Sequence, residues 1–315
     1  MSELYLRLFN IKWVRPMKLV LYSLVPAFIS GIYFFGLRGL ALLAVVVTAG
    51  YISEYMFARQ YREPVHSSVF VTCLLYVMTL PPTIPFWMAA VGIAAGVVFG
   101  KMVFGGFGKN AFNPALVGRA FIYVSFGNFL TNRWVEPFSH GFGGFIRYSS
   151  DALTQATPLA MLEKGESVSL LRVFTGNISG CLGETSALLL LLGGVFLIYR
   201  RVADYRIVIS GIFGMLAMNF ALNLAGIAGS IPCIHALFSG GFMLGIFFMA
   251  TDPVSASSLK EGKLIYGLII GLLTTLIRVF SAWPEGIMFA ILFANMFIPI
   301  IDYGLKSLKK KNGQG

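Results

Sequence analysis

Long apolar runs recur along this chain from residue 19 to residue 303, separated mostly by short polar connections. A helix that crosses a bilayer needs about 20 mostly apolar residues, because it must satisfy its own backbone polar groups where water is excluded. Runs of that kind lie near 19–35, 40–57, 67–80, 85–103, 114–128, 184–199, 206–225, 234–250, 264–281 and 286–303. With 57% apolar and 12% charged residues among 315, a globule has too little polar surface to cover itself. Soluble domains carry about twice that charged fraction. The sequence predicts an all-α polytopic membrane protein with about ten transmembrane helices.

The formal net charge is +11, which taken alone invites a nucleic-acid partner. The positions of the charges exclude it, since they sit at the ends of apolar runs as the positive-inside bias places them. One set of alternate connections carries Arg59 and Arg62, then Lys101, Lys109 and Arg119, then Arg200, Arg201 and Arg206, then Lys260 and Lys263. The tail adds Lys306, Lys309, Lys310 and Lys311. The other set carries Arg38, Arg133, Arg147, Lys164, Arg172 and Arg278, most of them in one long loop. That bias puts both termini in the cytoplasm and the 129–183 connection outside. Arg7, Lys12, Arg15 and Lys18 precede the first run, which no clear cleavage site follows, so it reads as a first span. Cys73, Cys181 and Cys233 are scattered without a CxxC or Cys/His grouping, and no metal site is expected.

The long connection divides the chain into a first membrane unit at 1–128, an external loop at 129–183, a second membrane unit at 184–303 and a basic tail at 304–315. An odd number of spans in each unit makes the two cross in opposite senses. Short similarities fall at equivalent places. Met78-Thr79-Leu80-Pro81-Pro82 ends the third run and Met249-Ala250-Thr251-Asp252-Pro253 ends the eighth. Asn113-Pro114-Ala115, followed by Arg119-Ala120-Phe121, has a counterpart in Trp283-Pro284-Glu285-Gly286, followed by Phe289-Ala290. The expected architecture is two inverted five-helix repeats, whose binding sites lie near their mutual interface at helix breaks.

Thr157-Pro158 in the external loop is a good helix start, with threonine as a cap and proline at the first helical position. The same geometry suits an anion, because free N–H groups and the helix dipole favour phosphate there. Local sequence alone leaves Thr157 as a cap or as an anchor. The glycine-rich stretch Gly105–Lys109 is not a nucleotide loop, since Val103 and Asn110 break the required spacing. Its glycines suit close packing or a re-entrant break before Asn113-Pro114. Asn110 and Asn113 suit either a ligand ring or an unwound backbone. Glu54, Asp252 and Glu285 lie near run ends and read as interfacial, while Arg119 and Arg278 suit balancing an anionic ligand. Asn219, Asn223 and Asn295 lie deeper, where they suit bridging helices or lining a pathway. His66 and His235 flank the third and eighth runs as interfacial anchors, and Phe126, Trp134 and Trp283 are aromatic candidates beside a ring.

Asp151-x-x-Thr154-x-Ala156-Thr157 resembles the D-x-x-[ST]-G-A-T segment to which flavin transferases attach FMN. Phe104 to Ala115, Phe248 to Pro253, and Pro284-Glu285-Gly286 extend the resemblance over most of the chain. It is to the family that includes the D subunit of the Rnf complex and the B subunit of the sodium-pumping NADH:quinone reductase. Gln155 departs from it, standing where that family usually has a small residue. The resemblance implies FMN esterified to Thr157, with Asp151, Thr154 and Ala156 forming the attachment segment. Asn110, Asn113 and Arg119 become cofactor-binding candidates, with noncovalent riboflavin between the repeats as a further cofactor, and no residue is catalytic alone. It also implies a bacterial or archaeal cytoplasmic (inner) membrane, other membrane and flavoprotein subunits, a flavin transferase, and sodium ion or proton as the coupled ion. Without the longer N-terminal extension of the quinone-reductase protein, the expectation is the Rnf type, a ferredoxin:NAD oxidoreductase. The alternative is a urea-transporter-like channel without redox activity, since the family's fold is similar to that class.

Overall fold

Arg15 and Pro16 open helix α1 (Arg15–Phe35), proline fitting a first turn whose N–H groups have no partner within the helix. Gly36 at φ 100° ends it, and helix α2 (Arg38–Tyr61) follows at once. The computed structural model describes residues 11–131, 134–138, 141–149, 153–154, 157–227, 229, 231–281 and 286–311. Helix α3 (Ser68–Met78), helix α4 (Phe86–Val97) with a π-helical turn over Val98–Met102, and helix α5 (Pro114–Thr131) complete the first group. The long connection holds two-residue strands β1 (Trp134–Val135) and β2 (Leu153–Thr154), paired antiparallel, and short helices α6 (Pro158–Glu163) and α7 (Leu170–Thr175). The second group is α8 (Ala187–Tyr199), α9 (Tyr205–Leu224), a broken span, α12 (Lys260–Phe280) and α13 (Ile287–Lys311). The broken span is α10 (Cys233–Phe238), then α11 (Phe242–Leu244) with a π-helical turn over Gly245–Met249.

Every predicted run is occupied by helix, and the all-α polytopic fold stands. Among the described residues, α1, α2, α9, α12 and α13 are long and apolar enough to cross a membrane. Helix α3, with 11 residues, is only about 16 Å long against a hydrocarbon core of about 30 Å. It is nevertheless apolar on all sides, and all its residues but Phe70 are buried. A helix of that kind packs inside protein and needs no lipid face. Helix α2 is the opposite case, exposing Leu40, Ile52 and Met56.

The two groups use one pattern of neighbours. Helix α2 packs on α3 and α4, and α4 on α5; α9 packs on the broken span and α12, and α12 on α13. Helix α3 sits against α1 and α5 as the second π-helical turn sits against α8 and α13. Pairs α1–α8 and α5–α13 join the groups.

The end of the long connection is no surface loop. Cys181 and Leu182 are fully buried, and the Leu182 and Gly183 N–H groups donate to Leu80 O and Met78 O at 3.1 and 2.7 Å. This wedge takes up carbonyls that the last turn of α3 leaves without a helical partner. The stop at Met78 therefore needs no water.

Glycines set the approach of α9 to α12. A Cβ on Gly271 would overlap Gly211 O and lie 2.5 Å from Met215 N, so only glycine lets these backbones meet. Gly304, on α13, has nothing within 4 Å of its Cβ position. Gly271→Leu is expected to cost about 1–3 kcal/mol and lower the thermal midpoint in detergent, with Gly304→Leu neutral. Equal midpoints for the two variants would refute the close approach.

Candidate functional site

Both π-helical turns end at one cavity. Each carries a wide backbone bond, Val103 N–H to Val98 O at 3.0 Å and Ala250 N–H to Gly245 O at 2.8 Å. Such turns are rare and frequent at functional sites. The first delivers Lys101 and the loop holding Phe107 and Asn110; the second delivers Phe248, Thr251 and Asp252. Ser68 and Thr72 of α3, with Asn113 and Pro114 at the start of α5, close the wall. The cavity measures about 70 Å³. One water needs about 10–15 Å³ on that measure, so there is room for several waters or part of an organic ring.

Its polar groups form two clusters. Lys101 Nζ lies 2.6 Å from Glu54 Oε2 and donates to Ser68 Oγ at 2.9 Å, with both charged side chains only 3% and 2% exposed. A buried ion pair persists only where further hydrogen bonds offset desolvation. Ser68 supplies one, and the His66 backbone N–H supplies another to Glu54 Oε1 at 3.2 Å. The His66 ring stacks on Phe107 at 4.8 Å. Burial, reinforced by Lys101, lowers its imidazole below the ordinary histidine value. In the second cluster, Asp252 accepts from Val254 N–H at 3.3 Å, Ser255 Oγ at 3.0 Å and Asn110 Nδ2 at 3.4 Å. Asn113 caps α5 by accepting Ala115 N–H at 3.0 Å, and donates across to Met249 O at 3.3 Å. Asn110 and Asn113 thus tie the first group to the broken span of the second.

A smaller cavity of about 20 Å³ lies on the other side of that span, lined by Thr79, Leu116, Arg119, Glu184, Gly240 and Met249 among others. Arg119 is 2% exposed, and its guanidinium nitrogens approach Cys181 Sγ at 3.6 and 3.7 Å. At the break itself, Arg278 donates to the carbonyls of Ala236, Ser239 and Gly240 at 2.7, 2.8 and 3.0 Å, which lets the span part there without water. Leu159 of α6 packs over Gly240. The helix that Thr157 opens therefore rests on the break.

Thr157 is the N-cap of α6, its Oγ1 accepting the Ala160 N–H at 3.3 Å. Thr154 pairs through its backbone with Trp134 in the β1–β2 ladder. Asp151, Gln155, Ala156, Trp283, Pro284 and Glu285 lie outside the described residues. The predicted site residues fall in three places: Thr157 on the connection, Asn110 and Asn113 at the first cavity, and Arg119 at the second. Sequence reasoning missed the Lys101–Glu54 pair. Glu54 reads as interfacial in sequence and is instead buried beside a lysine. The available signal was Lys101 itself, a charge set within the apolar stretch Val97 to Phe104.

The model of the NQR2, RnfD, RnfE family matches residues 10–310. The B subunit of a Na(+)-translocating NADH-quinone reductase from Neisseria meningitidis serogroup B is 41% identical over 269 residues, covering 84% of this chain and 66% of that protein. The protein of that name from Klebsiella pneumoniae is 40% identical over 283 residues, covering 88% and 69%. That from Pseudomonas aeruginosa is 43% identical over 255 residues, covering 79% and 62%. The chain thus spans about two thirds of the length of the relatives it matches.

Asn113→Leu removes both the α5 cap and the bond to Met249 O. A cost of about 1–3 kcal/mol is expected from the buried groups left without partners, read as a lower thermal midpoint of the detergent-purified chain without added ligand. An unchanged midpoint would make the cross-brace idle.

Proposed function

The chain belongs to the NQR2, RnfD, RnfE family, and from that membership we propose that it is the flavin-carrying membrane subunit of an ion-translocating oxidoreductase complex. In this proposal Thr157 holds FMN through a phosphoester bond, and electron transfer is coupled to sodium or proton movement. The complex is of the Rnf type, a ferredoxin:NAD oxidoreductase, in which this chain takes electrons from a partner flavoprotein and is not catalytic alone. The names of the relatives, all at about 40% identity, favour a second reading, the same role in an NADH-quinone reductase.

The observation that carries the proposal is the setting of Thr157. It is half-buried at a helix start, and its Oγ1 already meets the first-turn N–H of Ala160. A phosphate esterified at that atom would sit at a helix start, where the dipole favours negative charge. Leu159, two residues on, rests against Gly240 of the broken span, and Gly240 lines the second cavity. Support for a planar ligand at the first cavity is its lining, which sets the apolar Phe107 and Phe248 beside the Asn110 and Asn113 amides. Noncovalent riboflavin is the second cofactor of this reading. Flavin supplies reversible electron storage when bound; the chain supplies its attachment, orientation and shielding from water.

The proposed topology sets the two five-helix groups as inverted repeats in a cytoplasmic membrane. Both termini and the first cavity lie on the lysine- and arginine-rich cytoplasmic side, with Thr157 outside, where a flavin transferase reaches it.

The chain, produced together with a flavin transferase and denatured, is expected to show a fluorescent band on a gel, lost in Thr157→Ala. A dark parent band, with unmodified Thr157 by mass spectrometry, would remove the covalent flavin and leave a urea-transporter-like channel as the leading reading.

A further inference from the structure

The ammonium of Lys101 is placed for more than its ion pair. It carries three N–H donors, and among the described residues Glu54 and Ser68 accept from it. A third donor remains at the wall of the first cavity, which Lys101 and Ser68 both line. Phe107 lines the same wall, with its ring 5.8 Å from Lys101 Nζ and stacked on His66. Its loop is bent by Gly105, Gly106 and Gly108, at φ 102°, 92° and 87°, a backbone region that other residues rarely adopt. An aromatic face beside a buried cationic donor suits a planar heteroaromatic ring with an acceptor edge.

Resting on the cavity reading under Proposed function, we propose that Lys101 is a cofactor-binding residue that sets the electron affinity of that cavity, with Glu54 as its opposing charge. A ring that accepts electrons gains negative charge, and charges at a water-poor wall act on it far more strongly than in water. Lys101 favours that added charge. Glu54, 2.6 Å from the ammonium, opposes it. The two partners of one ion pair therefore act in opposite directions on the ring. A pair that only holds α2, α3 and α4 together has no such signature, because losing either partner loosens the same contact.

The test uses the full-length chain carrying Thr157→Ala, so that covalent FMN does not contribute, with riboflavin added from solution. Bound flavin is measured after acid extraction, and its midpoint potential by absorption during dithionite titration. Lys101→Met is expected to shift the midpoint to more negative potential and Lys101→Arg to restore it, while Glu54→Gln shifts it to more positive potential. The double variant Lys101→Met with Glu54→Gln removes both opposing charges of the pair, and its midpoint is expected to return towards the parent's. Flavin that stays bound with midpoints unmoved, or moved the same way by both single substitutions, overturns the role of Lys101 and leaves the cavity reading intact. A parent chain that retains no riboflavin overturns the cavity reading, and this inference falls with it.

Discussion

A backbone polar group away from water must find a partner within the protein, and this constraint decides where the helices of this chain are allowed to stop. Helix α3 ends after 11 residues because the Leu182 and Gly183 N–H groups meet Leu80 O and Met78 O. The broken span parts at Ser239 and Gly240 because Arg278 reaches three carbonyls there. Helix α5 starts inside the protein because Asn113 caps it. Each interruption has its own supplier of hydrogen bonds. Without those suppliers each interruption would leave buried backbone groups without partners.

The charged groups obey the same constraint at higher stakes. Glu54 and Lys101 are buried together, each also bonded by a group of the α2–α3 corner or of α3 itself. Removing one partner of such a pair typically costs about 3–5 kcal/mol, whereas replacing both by apolar groups can be neutral. Stability alone thus gives no reason to keep both charges. What the pair provides is a fixed field at a cavity wall, which a hydrophobic substitute cannot supply.

How far the sequence reveals this differs by level. The helices were legible, since an apolar run bounded by charges has one solution in a bilayer, and even the short runs at α3 and α5 marked real elements. The equivalence of Met78-Thr79 and Met249-Ala250 pointed at the two elements that flank the cavities. Thr157-Pro158 announced the start of α6. The Lys101–Glu54 pair was not legible, because its members lie 47 positions apart and each alone sits near the end of an apolar run. The wedge at Cys181–Gly183 was hidden for a related reason: a small, polar-looking segment after a long loop carries no sign that its N–H groups are needed by another helix.

The broken span is where these separate solutions meet. Met249 accepts from Asn113 of the other group while lining the second cavity, and Phe248 and Thr251, its near neighbours, line the first. Gly240 is held by Arg278 on one side and covered by Leu159 on the other. Packed interiors transmit displacement because they have little free volume to absorb it. A shift of α6 therefore reaches the break through Leu159, and a shift of the loop before α5 reaches it through Asn113. The connection that carries Thr157 and the cavity that carries Lys101 lie far apart in sequence, yet both bear on the same few residues between Ser239 and Asp252.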